Sequence, residues 1–403
     1  MSSPQTDQPA AAPSPAASAA RPKLLFLITE DWFFYGARLT LARAARDSGF
    51  EVVVATRVRD HGERILAEGF ALRPLSWRRR GDGIVATVRV IREIARLYRT
   101  ERPDIVHHAA LKPIVFGAIA TRLAFPRGRG APARIAAVMG LGAVFGRVAA
   151  RPLARFRPLA VAVRMAMARA RVMVENPDNR ATLARLGVDP AQITVIRGTG
   201  VDEARFLPLS EPKASGVAVA LVGRMLRSKG VFDAAAAVRL LRGRGLDVTL
   251  LLAGGTDPDN RDSLSEAELK ALGAEPGIEW LGRVPDVRTV WARAQIAVFP
   301  STYGEGLPTA LLEAAACGRP IIAADMPGCR EIARHAETGL LVPPGDIAAL
   351  AGAIAELAGD PPRREAMGQA GRELVLREFT DTIVAERTLA LYREALGERN
   401  KER

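Results

Sequence analysis

Short apolar runs alternate with amphipathic stretches along most of the chain. The run at residues 23–28 is followed by a loop, by the helical pattern Leu39–Ser48, which Gly49 ends, and by a second apolar run, Glu51–Thr56. A strand, a helix and a strand within about 30 residues are typical of a βαβ unit in a parallel sheet. The same alternation predicts further strands at residues 104–107, 134–139 and 172–174, with helices at residues 84–99 and 112–123.

A second series of the same kind begins near residue 216. It predicts strands at residues 217–222, 248–253, 278–281, 296–299 and 320–323, with helices at residues 231–242 and 264–272 among them. Two successive series predict an α/β protein with two doubly wound Rossmann-like domains that face each other across a cleft. The irregular stretch Arg197–Gly216 separates domains at residues 21–200 and 201–380. Residues 381–403 contain a last helix, at about 381–396, which we expect to cross back to the first domain.

Length and composition agree with this division. A chain of 403 residues with 48% hydrophobic residues is long for one core. Its two cysteines, Cys317 and Cys329, are too few for a disulfide framework. Residues 1–20 are rich in Ala, Pro and Ser and lack the pattern of a signal peptide, so we expect a disordered tail. No run reaches the roughly 18 apolar residues that a membrane-spanning helix needs.

Basic residues are concentrated in the first domain. Residues 21–200 contain 32 Lys or Arg and 14 Asp or Glu, whereas residues 201–403 contain 25 and 29. Such an excess is typical of proteins that bind phosphate groups, in nucleic acid, at an anionic membrane surface or in a phosphorylated acceptor. An arginine-rich proteome would also raise the total charge, but it explains less well why the excess lies in one half.

Residues 141–171 combine apolar side chains such as Phe145 and Met165 with seven arginines. A basic amphipathic surface of this kind is suited to lie on anionic lipid. A solvent-facing helix pair, in which the arginines cover apolar neighbours, explains the pattern equally well, because Pro152 and Pro158 blur the periodicity.

The clearest chemical signal is the stretch FPSTYGEGLPTALLEAAACGRP at residues 299–320. A strand ends there, a loop with Gly304 and Gly306 follows, and a helix begins near Pro308, a position that suits proline. Free backbone N–H groups at such a helix start, near Gly306 and Leu307, suit a phosphate.

Two carboxylates accompany this loop. Glu305 can accept hydrogen bonds from sugar hydroxyls, and Glu313 on the helix can bind a vicinal ribose diol. A solvated loop residue and an ordinary helix-face charge would explain this pair alone. A second site changes the balance: Arg224 and Lys229 follow the strand at residues 217–222 and can bracket a diphosphate. Two cations would stabilise a departing nucleoside diphosphate as a metal does elsewhere.

These motifs together resemble glycosyltransferase family 4. The resemblance is carried by GRMLRSKG at 223–230, YGEGLP at 303–308, LLEAAACGRP at 311–320, DMPGCRE at 325–331 and GLLVP at 339–343, and it extends from about residue 23 to the last helix. It implies the two-domain GT-B fold and retaining transfer from a nucleotide diphosphate sugar, a UDP-sugar above all, with no metal cofactor.

The resemblance also assigns roles. The family's two glutamates, with seven residues between them, map onto Glu305 and Glu313, and its phosphate-binding cations map onto Arg224 and Lys229. Glu305, Arg224 and Lys229 are the expected catalytic residues. Glu313, with Gly304, Gly306 and Leu307, is expected to bind the donor in the domain at residues 201–380, while the domain at residues 21–200 binds the acceptor.

The first domain is similar to one branch of this family. PDIVHHAALKP at 103–113, GLG at 140–142, ENPD at 175–178 and RGTGVD at 197–202 resemble bacterial enzymes that extend saccharides on undecaprenyl diphosphate. Those enzymes add an N-acetylhexosamine or a related sugar for capsule, O-antigen or glycoprotein glycans. The resemblance implies a hexosyltransferase with a polyprenyl-diphosphate-linked saccharide as acceptor. It also implies a cytoplasmic protein that is peripheral on the inner membrane, where an anionic surface is a partner and nucleic acid is not.

Further candidates follow a strand of the first domain. His107 and His108 end this strand, and because side chains alternate along a strand, only one should face the cleft. Motif position favours His107 as a catalytic contact to the donor sugar. The other is then a packing residue, although His108 stays an acceptor candidate. Lys112 can meet the acceptor diphosphate. Asn176 is either another cleft residue or a turn residue before a proline.

The loop after the first strand departs from the family pattern. It reads DWFFYGAR at 31–38, where family members have small residues or Ser-His-Arg. Gly36 permits a close backbone approach to the donor, and Arg38 keeps a cation for the acceptor. Ala37 stands where a histidine-like residue is expected, which affects acceptor contacts more than donor binding.

One motif is typical of a metal site. Asp257-Pro-Asp259 matches the Asp-x-Asp signature of metal-using transferases, but no other carboxylate cluster supports it, so we interpret it as a turn.

Two alternative functions stay open: a nucleotide-sugar epimerase of the same fold, which would convert donor without acceptor, and a non-catalytic protein that binds phosphate or nucleic acid. The low aromatic content of 5% argues against a stacking platform for single strands.

Overall fold

Two parallel sheets organise the chain. The computed structural model describes residues 21–77, 83–140, 157–213 and 215–401. The first sheet has the strand order β3-β2-β1-β4-β5-β6-β7. Its strands are β1 (Lys23–Glu30), β2 (Glu51–Arg57), β3 (Ala71–Pro74), β4 (Ile105–Ala109), β5 (Ala133–Val138), β6 (Arg171–Val174) and β7 (Ile193–Val195). The second sheet has the order β10-β9-β8-β11-β12-β13. Its strands are β8 (Val217–Val222), β9 (Val248–Ala253), β10 (Ile278–Gly282), β11 (Ile296–Phe299), β12 (Ile321–Ala324) and β13 (Gly339–Val342).

Helices cover both faces of each sheet. Those of the first unit are α1 (Asp31–Ala37), α2 (Leu39–Asp47), α3 (Gly62–Ala67), α4 (Ile84–Glu101), α5 (Leu111–Ala124), α6 (Arg157–Met167) and α7 (Pro177–Arg185). Those of the second unit are α8 (Val231–Gly243), α9 (Glu266–Gly273), α10 (Arg288–Trp291), α11 (Thr309–Ala316), α12 (Cys329–Ile332), α13 (Ile347–Ala358) and α14 (Pro361–Glu378). The chain ends in α15 (Asp381–Lys401).

Burial explains why the strands are continuous apolar runs. All five residues from Leu24 to Ile28 have no exposed surface, and neighbouring residues pack into separate cores on the two faces of the sheet. Parallel strands that are covered on both faces need apolar side chains on both. The second sheet is covered in the same way, with one core against α8 and α13 and another against α11 and α14. The expected α/β fold with two Rossmann-like sheets is therefore confirmed.

The strand order fixes where a ligand can bind. In each sheet the order reverses beside the first strand, between β1 and β4 and between β8 and β11. Ligands of such sheets bind beyond the carboxyl ends of the strands at this reversal. The segments that follow these four strands therefore surround the expected site: α1, the start of α5, the Gly223–Gly230 segment and the loop that precedes α11.

The last helix joins the first unit, although it follows the second unit in sequence. Helix α15 packs on α2 and on strands β4 and β5. The chain crosses between the two units near Val201 and again near Thr380, and these two residues pair in a parallel bridge. The Tyr392 side chain is fully buried in the core of the first sheet. The chain thus passes twice between the units.

The structure differs from the sequence-based expectations in several places. The segment after β1, expected to be a loop, is the short helix α1. It is held by Asp31, whose carboxylate accepts hydrogen bonds from the backbone N–H groups of Arg59 and His61 at 2.6 and 2.9 Å. Strands β3, β7 and β13 are additional. The expected tail at residues 1–20, Leu141 and Gly142 of the GLG motif, and residues 141–156 of the basic segment lie outside the described residues.

Candidate active site

A cation and a carboxylate link the two donor motifs of the second unit. Lys229 Nζ lies 2.8 Å from Glu305 Oε1, and both side chains are mostly buried. The same ammonium group lies 4.7 Å from the centre of the Phe299 ring, in cation–π geometry. Gly230 makes this approach possible, because a Cβ there would lie 2.3 Å from the Pro300 carbonyl oxygen. The segments after β8 and β11 are therefore adjacent.

Arg224 is the second cation of the donor motifs. Its Nη1 lies 2.6 Å from Asp257 Oδ2, and its side chain is 42% exposed. The Asp257–Pro–Asp259 segment forms ion pairs with arginines on both sides, since Asp259 Oδ2 accepts from Arg59 Nη2 of the first unit at 2.6 Å. The carboxylates of the Asp-x-Asp match are thus engaged by Arg224 and Arg59. No group of three His, Cys, Asp or Glu residues that suits a metal ion occurs in the described ranges.

Glu313 is positioned by α11 on its partly buried face. Burial raises the pKa of its carboxyl to about 7, with a lowering contribution from Arg205 and a smaller raising contribution from Asp286. Its charge therefore changes close to neutral pH. An ionised carboxylate in this position can accept one hydrogen bond from each hydroxyl of a diol through its two oxygens, whereas protonation turns one of these oxygens into a donor.

The loop at residues 305–307 contacts the first unit. Asn176 Nδ2 donates to the Gly306 carbonyl oxygen at 2.6 Å, while Asn176 Oδ1 accepts from Asn179 N at 2.8 Å and caps α7. A Cβ at Gly306 would lie 1.8 Å from Glu175 Oε2 and 2.2 Å from the Met139 carbonyl oxygen. Glycine at this position thus allows the loop to touch the opposite unit. Asn176 thus contacts the loop of the opposite unit and also caps the helix that begins at Pro177, so its role as an acceptor contact stays a prediction.

A buried carboxylate lies beneath this contact. Glu175 is 3% exposed, accepts a hydrogen bond from the Leu307 backbone N–H, and has its Oε1 atom 3.8 Å from Arg38 Nη2. Burial raises the pKa of Glu175 to about 8, although Arg38 and the Leu307 N–H act in the opposite direction. Glu305 adds a further raising contribution. Glu175 therefore couples the first unit to the loop that carries Glu305.

Arg38 is the centre of this buried group. Its side chain is 2% exposed, and it donates to the Ala37 carbonyl oxygen at 2.8 Å and to the Met139 sulfur. Desolvation lowers the pKa of its guanidinium group. Arg38 Nε, Glu175 Oε1 and His107 Nε2 have no hydrogen-bond partner in the described part of the chain. Buried polar atoms of this kind cost about 1–3 kcal/mol each when they stay unpaired.

The two histidines do not line the cleft. His107 is fully buried, and its Nδ1 is hydrogen-bonded to the Tyr392 hydroxyl of α15 at 2.8 Å. His108 is 1% exposed, and its Nε2 is hydrogen-bonded to the Tyr98 hydroxyl of α4 at 2.8 Å. Burial lowers the pKa of His107 well below its ordinary value and that of His108 to about 3. The expectation that one of them faces the cleft is wrong, because helices cover both faces of β4.

Two further candidates lie at the edge of the site. Lys112, near the start of α5, lies over the rings of Trp77 and Phe116 at 5.9 and 5.5 Å. Gly36 is exposed within α1, and a Cβ there would meet no atom within 4 Å. No contact in the structure therefore requires glycine at position 36. The role of Gly36 in donor binding stays a prediction.

Sequence reasoning missed Glu175 and Asp31. Glu175 occurs in the ENPD motif, but neither spacing nor residue type distinguishes it from a solvated turn residue. Its position directly after the buried strand β6 was the one available signal. Asp31 holds a similar position, directly after β1. An acidic residue directly after a buried parallel strand is therefore the sequence pattern that would have identified both residues.

Two family models match the two halves of the chain. The model described as Glycosyl transferase 4-like matches residues 23–145, and the model described as Glycosyl transferases group 1 matches residues 210–374. The fold matches that of sucrose-phosphate synthase from Thermosynechococcus elongatus with a TM-score of 0.76, over 94% of this chain and all of the other, at 24% identity. The chain belongs to the GT-B glycosyltransferases.

The relatives of this GT-B protein differ in the share of their length that aligns with it. It is 33% identical to the alpha-maltose-1-phosphate synthase of Mycolicibacterium smegmatis over 51% of this chain and 58% of that protein. It spans about half the length of that relative and of the Staphylococcus aureus glycosyltransferase CapM, of which 47% is covered. A Campylobacter jejuni protein is covered almost completely. It is named N,N'-diacetylbacillosaminyl-diphospho-undecaprenol alpha-1,3-N-acetylgalactosaminyltransferase and is 25% identical over 89% of this chain and 95% of its own length.

A solved structure with ligands has the same fold. Anabaena Alr3699/HepE in complex with UDP and glucose matches with a TM-score of 0.74, over 92% of this chain and 99% of the other, at 18% identity. Among the described residues of the GT-B chain, no helix has both the length and the apolar character needed to cross a membrane.

Proposed function

We propose that this GT-B protein is a retaining hexosyltransferase. It transfers an N-acetylhexosamine or a related sugar from a UDP-sugar to a saccharide on polyprenyl diphosphate, in the synthesis of surface or glycoprotein glycans. The observation that carries the donor assignment is the contact between Lys229 and Glu305 at 2.8 Å. This contact lies at the reversal point of the second sheet and supports our assignment of Lys229 to the donor phosphate and of Glu305 to the donor sugar.

The neighbouring residues support a nucleotide diphosphate sugar as donor. Arg224, Lys229 and the backbone N–H groups at the start of α11 would bind the diphosphate, and Glu313 would bind the ribose diol. The UDP in the Anabaena structure supports UDP as the nucleotide. The sugar and the lipid-linked acceptor follow the name of the Campylobacter relative, which covers most of this chain.

The proposed reaction is a substitution on one face of the donor sugar. The bond from the anomeric carbon to the phosphate oxygen breaks, and its electron pair stays on the nucleoside diphosphate. The acceptor hydroxyl oxygen forms the new bond on the same face, and its proton passes to a donor phosphate oxygen. Arg224 and Lys229 stabilise the charge that develops on the leaving diphosphate, which requires no metal ion.

A basic and apolar surface supports contact with a membrane. The first turns of α4 expose Ile84, Val85 and Val88, which are 85%, 75% and 39% exposed. Arg89 and Arg92 lie beside them on the same helix. Such a surface suits the anionic lipids around a polyprenyl carrier. We therefore propose a peripheral position on the cytoplasmic face of the inner membrane, with no nucleic acid as partner.

A pair of lysine variants tests the donor site. Lys229→Ala removes the cation and is expected to lower the turnover number for sugar transfer by at least 100-fold, because one electrostatic contact to the leaving group is worth several kcal/mol. Lys270→Ala is the matched control, since Lys270 is exposed and pairs with Glu266 on the surface of α9. Equal transfer by both variants, measured by mass spectrometry of the lipid product, would contradict the assignment.

A further inference from the structure

The first unit contains a cavity far from the cleft. It has a volume of about 1200 Å³ and lies at the amino ends of β5 and β6, next to Ala133 and Arg171. The cleft lies at the carboxyl ends of the same strands. A six-residue strand such as β5 is about 20 Å long. The cavity is therefore separated from the donor motifs by the length of the sheet.

Arginines dominate the lining of this cavity, which we call the arginine cavity. Two of them have carboxylate partners: Arg171 pairs with Glu398, and Arg399 Nη1 lies 2.6 Å from Asp104 Oδ1. Five others have no carboxylate partner within the described ranges, namely Arg122, Arg127, Arg129, Arg134 and Arg169. Glu398 is the one acidic residue among its described lining residues. Among the described residues, five positive charges are thus left without a carboxylate partner.

Two of these five are held in place by the backbone. Arg134 Nη1 donates to the Ala166 carbonyl oxygen and Arg122 Nη2 to the Met165 carbonyl oxygen, both at 3.0 Å. These contacts satisfy carbonyl groups at the end of α6, which is a structural role. A guanidinium group has five N–H donors, so these contacts leave donors for a ligand. Arg169 is held in a left-handed conformation, with φ of 59°.

The arginines are close enough to repel one another. Burial, together with the charges of Arg122 and Arg169, lowers the pKa of Arg134 to about 10, while Tyr98 acts in the opposite direction. Repulsion of this kind is relieved when a multiply charged anion binds. Arginine matches phosphate best, because its planar group donates two parallel hydrogen bonds.

We infer that the arginine cavity binds a phosphate-bearing anion at a site separate from the donor site. The bound group is a diphosphate or a phosphomonoester. It belongs either to a small molecule in solution or to a phospholipid head group. The cavity volume admits a ligand larger than one phosphate ion. Arg127 and Arg129, which alternate with Gly128 and Gly130 in an exposed segment, form the accessible side of the site.

A triple variant tests this inference without disturbing the fold. Arg127→Ser, Arg129→Ser and Arg169→Asn are combined, because all three side chains are exposed and asparagine tolerates the left-handed backbone. The control combines Arg244→Ser, Arg293→Ser and Arg387→Ser, three exposed arginines outside the cavity lining. Both variants of the full chain lose the same charge. Binding of inorganic pyrophosphate is measured by calorimetry, and binding to vesicles of phosphatidic acid in phosphatidylcholine is measured by sedimentation.

The inference predicts a specific loss in the cavity variant. Its affinity for at least one of the two probes should fall by at least 10-fold, whereas the control variant should stay within 3-fold of the unmodified chain. Loss of pyrophosphate binding identifies a soluble phosphate as the source, and loss of vesicle binding alone identifies a head group. Equal affinities of the two variants for both probes would overturn the inference. Binding is measured without sugar transfer, so this result does not depend on the proposed reaction.

Discussion

Glu175→Gln is the change whose effect can be worked out most fully from the structure. The glutamate is buried, and its pKa is raised from 4.5 to about 8. A glutamine keeps a side-chain oxygen that can accept the hydrogen bond from the Leu307 N–H. It removes the charge, so the exchange isolates the cost of ionisation at this position.

The sign of the effect follows from linkage. A carboxyl group whose pKa is higher in the folded chain than in the unfolded chain binds more protons when folded, so folding stability decreases as pH rises between the two pKa values. For Glu175 this window runs from 4.5 to about 8. One pKa unit corresponds to about 1.4 kcal/mol, so the loss between pH 5.5 and 8 is on the order of 3 kcal/mol.

Urea denaturation at pH 5.5 and 8 measures this term. The free energy of unfolding of Glu175→Gln relative to the unmodified chain should rise by about 3 kcal/mol between these pH values. Glu365→Gln serves as control, because it removes the same charge from an exposed position on α14. A pH-independent difference for Glu175→Gln would refute the conclusion that this carboxyl is buried with a raised pKa.

Three further predictions concern the contacts around the cleft. Gly306→Ala should lower the turnover number at least 10-fold, because a Cβ at this position would lie 1.8 Å from Glu175 Oε2. Gly397→Ala should leave the turnover number unchanged, because a Cβ there meets no atom within 4 Å. Equal transfer rates of the two variants would contradict this prediction. For the unmodified chain, kcat/KM for the donor should fall as the pH drops through about 7, because protonated Glu313 has one acceptor oxygen fewer. Glu313→Gln should abolish this pH dependence when kcat/KM is measured in a pH series. Asn176→Asp should keep the cap of α7 and lose the hydrogen bond to Gly306 O, so its transfer rate should fall; because Asn176 has no exposed surface, the buried charge should also lower the thermal midpoint. Asn176→Ala should lose the same hydrogen bond and, with the cap, about 1 kcal/mol of stability. Transfer by Asn176→Asp at the unmodified rate would show that the contact between the units is dispensable.

Local pattern was sufficient for most of the fold. The strands β1, β8 and β11 are apolar runs bounded by glycine, proline or charge, so their positions along the chain followed from the sequence. The order of the strands within each sheet, and with it the reversal point, needed the structure. Strand β3 was missed because its exposed Arg73 and Pro74 interrupt the apolar pattern, and β13 because its short apolar run lies between Gly339 and Pro343. Helix α1 was missed because its stability depends on Asp31 and on backbone groups about 30 positions away.

The environment of the histidines needed the structure. Alternation along β4 correctly separates His107 from His108, but it does not show which elements cover each face. Tyr392 of α15 covers one face and Tyr98 of α4 covers the other. The first of these contacts joins residues 285 positions apart, which no local pattern can reveal. The same holds for Glu175, whose partners include the Leu307 N–H of the opposite unit.

Retaining sugar transfer to a lipid-linked saccharide is tested most directly with the full chain, a panel of UDP-sugars and a polyprenyl-diphospho-saccharide acceptor. Mass spectrometry detects the product, and NMR spectroscopy determines the configuration at its new anomeric centre. Addition of one sugar residue with the anomeric configuration of the donor is the predicted result. Conversion of the donor without extension of the acceptor would contradict the account and favour an epimerase of the same fold.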